Sequence, residues 1–247
     1  MGKIQQVTIA DIDETNGSVA LNKLATQHGE ENVTFIKCDV TKDAKIRDAL
    51  MRTKSKFGRL DVIMNNAGIM NEKDFELLIN INLTAVIRGT TLGLKHLRKD
   101  QGGNGGVILN TASVSGLKPS FCNPVYGASK HGVVGYTRSL ASSLSPSMAT
   151  HGVRVNCLCP DFTDTPMVRS LESADSVSKR GIHHAEKLSD YVCKNIDGML
   201  KASVVAESAI KLLADDSKNG AAMIVTGRGV AFIDPPEHPF FTDKTLE

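Results

Sequence analysis

Residues 106–130, GVILNTASVSGLKPSFCNPVYGASK, read as a strand, a loop and the first turns of a helix, and they set three reactive side chains in one short span. The run VILNTAS has the apolar content of a buried strand, and Ser113 closes it. After Pro124 the residues YGASKHGVVGYTRSLASSL are small and apolar and read as a helix, so Tyr126 and Lys130, four apart, share a face. An ammonium held near a phenol favours the phenolate and lowers its ordinary pKa of about 10. Tyr126 is therefore expected to act as a general base, with Lys130 lowering its pKa. Ser113, at the carboxyl end of its strand, is expected to face the cleft where ligands of open parallel sheets bind, and to hold the substrate oxygen.

Outward from this span the chain alternates strand and helix. QVTIAD reads as a strand ending in Asp11, SVALNKLATQHG as a helix, and VTFIK as a strand running into Cys38, Asp39 and Val40. A helix over residues 42–57 follows, then a strand, LDVIM, that enters Asn65, Asn66, Ala67 and Gly68. A helix carries Asn82 and LTAVIRGTTLGLKHL. The glycines of residues 102–106 precede their strand, which makes that loop a connector rather than a phosphate cradle. Beyond the Tyr126 helix, GVRVNCLCP reads as a strand. Residues 165–204 read as polar and irregular, a mobile lid over a cleft, before a helix VVAESAIKLLADD, a strand AMIVTG and a Pro-rich tail. This order predicts one α/β domain over residues 1–247 with a doubly wound parallel sheet and right-handed crossovers.

Composition narrows the partners. Lys+Arg 29 against Asp+Glu 27, without a basic block, argues against nucleic acid and for a small molecule. Cys38, Cys122, Cys157, Cys159 and Cys193 are odd in number and form no Cys-x-x-Cys pair, so neither a disulfide framework nor a metal site is expected. No apolar run reads as long enough to cross a bilayer, and MGKIQQ lacks a signal core, so a cytoplasmic protein without membrane contact is the expectation.

Asp11 and Asp39 at strand ends, N-N-A-G at 65–68, Asn82, Ser113, Tyr126 with Lys130, and Pro160 after a strand fall in an order that resembles the short-chain dehydrogenase/reductase family over nearly the whole chain. The resemblance implies a Rossmann-like fold and hydride transfer between a secondary alcohol and NAD, with the alcohol or ketone as the small-molecule partner. Asn82, Ser113, Tyr126 and Lys130 would be the catalytic set, Asn82 anchoring a water beside the lysine. Asp11 would accept the adenosine ribose hydroxyls and repel a 2′-phosphate, favouring NAD over NADP, with Ile12 beside it in the cofactor site. Cys38, Asp39 and Val40 would flank the adenine, and Asn66, Ala67 and Gly68 would line the cofactor floor. Tyr126, Lys130, Pro160, Asp161, Phe162, Thr163 and Thr165 would complete the nicotinamide end, with Ser113, Asn123 and Tyr126 on the substrate. A hydroxy fatty acid or prostaglandin-like lipid is the finer substrate expectation, and a homodimer or homotetramer, pairing through the Asn82 and Tyr126 helices, the expected assembly. Arg169, Lys179, Arg180, Lys187 and Lys194 could attract a carboxylated lipid, or form a solvated loop face.

Two positions depart from the family pattern. Only ten residues precede Asp11, whereas a glycine-rich phosphate turn lies about 20 residues upstream of its ribose-binding acid. The first strand, the glycine turn and the first helix are therefore expected to be missing, leaving a gap in the sheet or a new strand pairing, weak NAD affinity and poor stability. Three readings follow: an incomplete form of an ordinary dehydrogenase, a non-catalytic binding, regulatory or oligomerisation module, and an enzyme with a rebuilt nucleotide site. The second departure is Asp161, a carboxylate where the family has glycine.

Overall fold

A computed structural model describes residues 5–235; the Pro-rich tail beyond lies outside the described residues. The chain opens with β1 (Val7–Asp11), α1 (Glu14–His28) and β2 (Val33–Lys37), and the two strands pair in parallel from Val7 opposite Val33 to Asp11 opposite Lys37. Asp13 starts α1 by accepting the Asn16 amide. The helix lies close on β2: a Cβ at Gly17 would collide with the Phe35 ring.

After α2 (Asp43–Phe57), which stops at the left-handed Gly58, comes β3 (Val62–Asn65). Then α3 (Phe75–Ile79) continues through a wide turn at Asn80–Thr84, where the Ala85 amide donates to the Asn80 carbonyl, into α4 (Ala85–Leu97). Next are β4 (Gly106–Thr111), α5 (Pro124–Leu144), α6 (Met148–His151) and β5 (Val153–Pro160). All but two of the eight β5 residues are buried, as expected of a strand covered on both faces. The rest is β6 (Thr163–Asp164), α7 (Pro166–Arg169), α8 (Ala174–Lys179), α9 (Ala185–Asn195), β7 (Leu200–Lys201), α10 (Ala202–Ala214), β8 (Ala222–Thr226) and β9 (Gly229–Phe232).

The main sheet runs β3-β4-β5-β8-β9, parallel except for its last strand. The parallel sheet is as expected, and the addition to it is an antiparallel edge strand, β9. It escaped the sequence because all four of its residues are exposed, so no apolar alternation marks it.

The β1–β2 pair forms a separate sheet, and β1 is not hydrogen-bonded to β3, so the expected interruption falls between these two strands. Val7 and Met64 are accordingly exposed, at 41% and 44%. Side chains rather than backbone bonds join the halves. Ile36, Cys38, Ile46, Ala49 and Leu50 pack with Ile63, Leu92, Leu97 and Ile108 in one core, each large aliphatic contributing roughly 1.5–3 kcal/mol by burial.

Two further expectations are revised. Residues 165–204 are not irregular: α7, α8 and α9 bury Val168, Leu171, Val177, Ile182, Leu188 and Val192 against Met70, Leu78, Cys122 and Tyr126. Their apolar residues are scattered among charged and small polar ones, and the helices are short, so average polarity hid them. The segment Phe75–Leu97 is, by length and composition, long and apolar enough to cross a membrane, contrary to the reading of the sequence. In this fold it is a core helix, with Leu78, Val86, Leu92 and Leu97 buried inside.

Candidate active site

A cleft of about 880 Å³ runs along the carboxyl ends of the strands. At one end it is lined by Asp11, Ile12, Cys38, Asp39 and Val40, and in its middle by Asn66, Ala67, Gly68, Pro160, Asp161, Phe162, Thr163 and Thr165. Ser113, Asn123, Tyr126 and Lys130 form the inner wall. Every side chain expected around a cofactor or substrate thus reaches one cavity. Asn82 does not line it.

α5 brings Tyr126 and Lys130 onto the face that meets the end of β4, as their four-residue spacing requires. The Lys130 ammonium lies 5.6 Å from the centre of the Tyr126 ring and donates to the Thr111 carbonyl at 2.9 Å. Burial pushes Lys130 down to about 8. Burial also raises the Tyr126 phenol, with a hydrogen bond to the Ser113 hydroxyl pulling it partly back. The expectation that Lys130 lowers the phenol is therefore corrected: desolvation prevails at both groups, and the opposing effect on Tyr126 comes from Ser113. Ser113 begins a short turn, its oxygen accepting the Ser115 amide at 3.2 Å.

Asn82 sits fully buried in the wide turn between α3 and α4. Its oxygen accepts the Ile69 amide at 2.8 Å and its amide donates to the Ile69 carbonyl at 2.9 Å, with Ser129 Oγ at 3.4 Å. These contacts fasten the loop after β3 to α5. Asn123 is spent on Met70 Sδ at 3.3 Å and on the Ser120 hydroxyl. Asp161 lines the cleft with its carboxylate accepting the Phe162 amide at 2.9 Å.

At the other end Asp11 is exposed and accepts the Asp13 amide at 2.9 Å. Asp39 accepts the hydroxyl and amide of Thr41, and these bonds hold its carboxyl below the usual range. Among the described residues no cluster of His, Cys, Asp or Glu could hold a metal.

The chain matches the model of the short chain dehydrogenase family over residues 4–176. It is 39% identical over 236 residues to the human protein named 15-hydroxyprostaglandin dehydrogenase [NAD(+)], covering 95% of this chain and 87% of that one, and equally identical to the bovine protein of that name. This chain is a short-chain dehydrogenase. Among solved structures, levodione reductase superposes with a TM-score of 0.74 at 26% identity, over 90% of this chain and 86% of that one. A short-chain dehydrogenase/reductase of Mycobacterium marinum, at 24% identity and a TM-score of 0.72, shares the fold.

The sequence missed part of this dehydrogenase's cleft. Ile69, Met70, Met167, Val168, Leu171 and Leu188 make the end beside Tyr126 apolar, and Lys118 and Phe121 stand in the wall. The apolar residues of 165–204 were the available signal. Arg169, Lys179, Arg180, Lys187 and Lys194 do not line the cleft. Arg169 pairs with Asp164, Lys179 with Asp175 and Lys194 with Asp190, which favours the solvated-face reading. On α5, Val133 and Val134 are core residues of the same chain and Leu140 packs against its core, leaving the half-buried Tyr136 for any pairing surface.

Proposed function

We propose that this chain oxidises a secondary alcohol with NAD, and that Tyr126 is the general base. The observation that carries the reading is the convergence of Ser113, Tyr126 and Lys130 on one wall of a cleft whose far end presents Asp11 and Asp39. That end suits the adenosine of NAD: the exposed Asp11 carboxylate can accept ribose hydroxyls and repels a 2′-phosphate. Gly68 supports a close approach, since nothing lies nearer to its missing Cβ than Asn82 Oδ1 at 3.5 Å and Lys130 Nζ at 3.7 Å. NAD, when bound, supplies the hydride acceptor.

The residues supply the rest. Ser113 holds the alcohol oxygen, and Tyr126 takes the hydroxyl proton. Lys130, fixed to the Thr111 carbonyl, presents a donor beside the phenol. Because burial raises the Tyr126 phenol, its base form is scarce near neutral pH, and oxidation is favoured as the pH rises. The apolar substrate end, with Lys118 in the wall, supports a carboxylated lipid alcohol such as a hydroxy fatty acid or a prostaglandin-like compound.

The test is reduction of NAD and of NADP by a panel of short secondary alcohols and hydroxy fatty acids. Turnover with NAD and a lipid alcohol, lost in Tyr126→Phe, is expected; turnover unchanged in Tyr126→Phe refutes the role of the tyrosine. The interruption between β1 and β3 favours a second reading, a non-catalytic member that binds NAD weakly. Calorimetric titration of NAD into the chain separates the two: saturable binding with turnover supports the enzyme, and neither supports the module. Pairing of two copies through α4 and α5 is a further part of the proposal, checked by sedimentation.

A further inference from the structure

The helix that carries Tyr126 begins without a cap of its own. Asn123, at the N-cap position, makes no side-chain hydrogen bond to the first turn of α5, because its amide goes to Met70 Sδ and its oxygen takes the Ser120 hydroxyl. The two amides that follow Pro124 would then be orphaned in a partly buried place. They are not. Glu72, from the loop after β3, reaches across and accepts both, Val125 N on Oε2 at 2.8 Å and Tyr126 N on Oε1 at 2.8 Å. A carboxylate spanning two successive amides at a helix N-terminus makes two charge-assisted bonds and meets the favourable end of the helix dipole.

The same loop also holds the lid. The Lys73 amide, one residue on, donates to the Arg180 carbonyl at 2.9 Å, and the His183 amide donates to the Cys122 carbonyl at 2.8 Å. The segment between α8 and α9 is thereby bonded on one side to the neighbour of Glu72 and on the other to the residue before the α5 cap.

We infer that Glu72 is a positioning residue for the dehydrogenase reaction: its bidentate grip on Val125 and Tyr126 sets the phenol opposite Ser113 and ties that placement to the lid. Glu72 does not line the substrate cleft, so it acts through Tyr126 and not on the alcohol. Removing the grip lets the first turn of α5 fray, and the phenol loses its registration with Ser113.

The inference rests on the proposed chemistry only in its kinetic part, so the test has two readouts on Glu72→Ala and Glu72→Gln. The first is amide hydrogen exchange across residues 124–130, which does not depend on turnover. Exchange about tenfold faster or more in the alanine variant is expected, with the glutamine variant, which keeps one acceptor oxygen, in between. The second is steady-state kinetics: kcat is expected to fall by about tenfold to a hundredfold in the alanine variant with the KM for NAD unchanged, and to recover partly in the glutamine variant. Unchanged exchange in both variants overturns the grip. Faster exchange with kcat within about twofold of the parent overturns the positioning role. A parent chain without turnover refutes the proposed function, while the exchange result still decides whether Glu72 holds the helix.

Discussion

Replacing Lys130 by methionine isolates the cost of a buried cation. Lys130 is 3% exposed, and burial brings its pKa from 10.5 to about 8. The folded chain therefore binds this proton less tightly than the unfolded chain does. Between about pH 8 and 10.5 the unfolded state holds more protons, so stability rises with pH across that window. Below it the penalty is fully present, amounting to about 3 kcal/mol for a shift of this size. Lys130→Met removes the charge and with it this pH dependence, at the loss of the bond to the Thr111 carbonyl, which is constant across the range. The assay is urea unfolding of both proteins at several pH values from 7 to about 9.5, below the phenol titrations that complicate the alkaline end. The parent should gain about 2 kcal/mol relative to the variant over that interval. Parallel stability curves would show that Lys130 keeps an ordinary pKa, and the argument from desolvation would be wrong.

Other perturbations probe the remaining parts of the molecule. Asp11→Ser should weaken the preference for NAD over NADP by about tenfold or more, read from the ratio of their kcat/KM values, if the exposed carboxylate has the proposed role of repelling a 2′-phosphate; an unchanged ratio would place the nucleotide elsewhere. Leu158→Ala, at a fully buried position in β5, should cost about 2–5 kcal/mol in denaturant unfolding, and a loss under about 1 kcal/mol would contradict the packing. Native-state hydrogen exchange should show β1 and α1 opening well before β4 and β5, because the β1–β2 sheet is not bonded to β3. Uniform protection would mean that the two sheets unfold as one.

The parts of the site legible in the sequence are those fixed locally. Tyr126 and Lys130 meet because four residues make about one helical turn, and Asp11 and Asp39 reach the cleft because one ends a parallel strand and the other comes just after one. What depends on surroundings was not legible. The spacing of Tyr126 and Lys130 gives their proximity but not their burial, and burial reverses the expected direction of the phenol's pKa. Glu72 stands 53 residues from Val125, and no local pattern announces such a contact. The helices α7 to α9 were hidden for a similar reason: Val177 and Leu188 face a core supplied by distant residues such as Met70 and Cys122. Asn82 was picked out by resemblance, yet nothing in its neighbours announced the widened turn on which it rides.

That widened turn sets the phase of the two helices it joins as well as the path of the chain. Leu78 before it and Val86, Gly93 and Leu97 after it are all buried, although the eight residues from Leu78 to Val86 would put them about a quarter-turn apart in a regular helix, so the wide turn absorbs one residue and keeps the two stretches in phase. Each residue of an α-helix turns the chain by about 100°. Tightening the turn into a regular helix with its residue count unchanged would swing either α3 or α4 about a quarter-turn out of the core, whereas deleting one residue between Asn80 and Thr84 would let a regular helix form with both stretches still in phase. The core is therefore indifferent to a one-residue loss at this turn, but the placement of Asn82 is not, because its frame exists only while the turn stays wide.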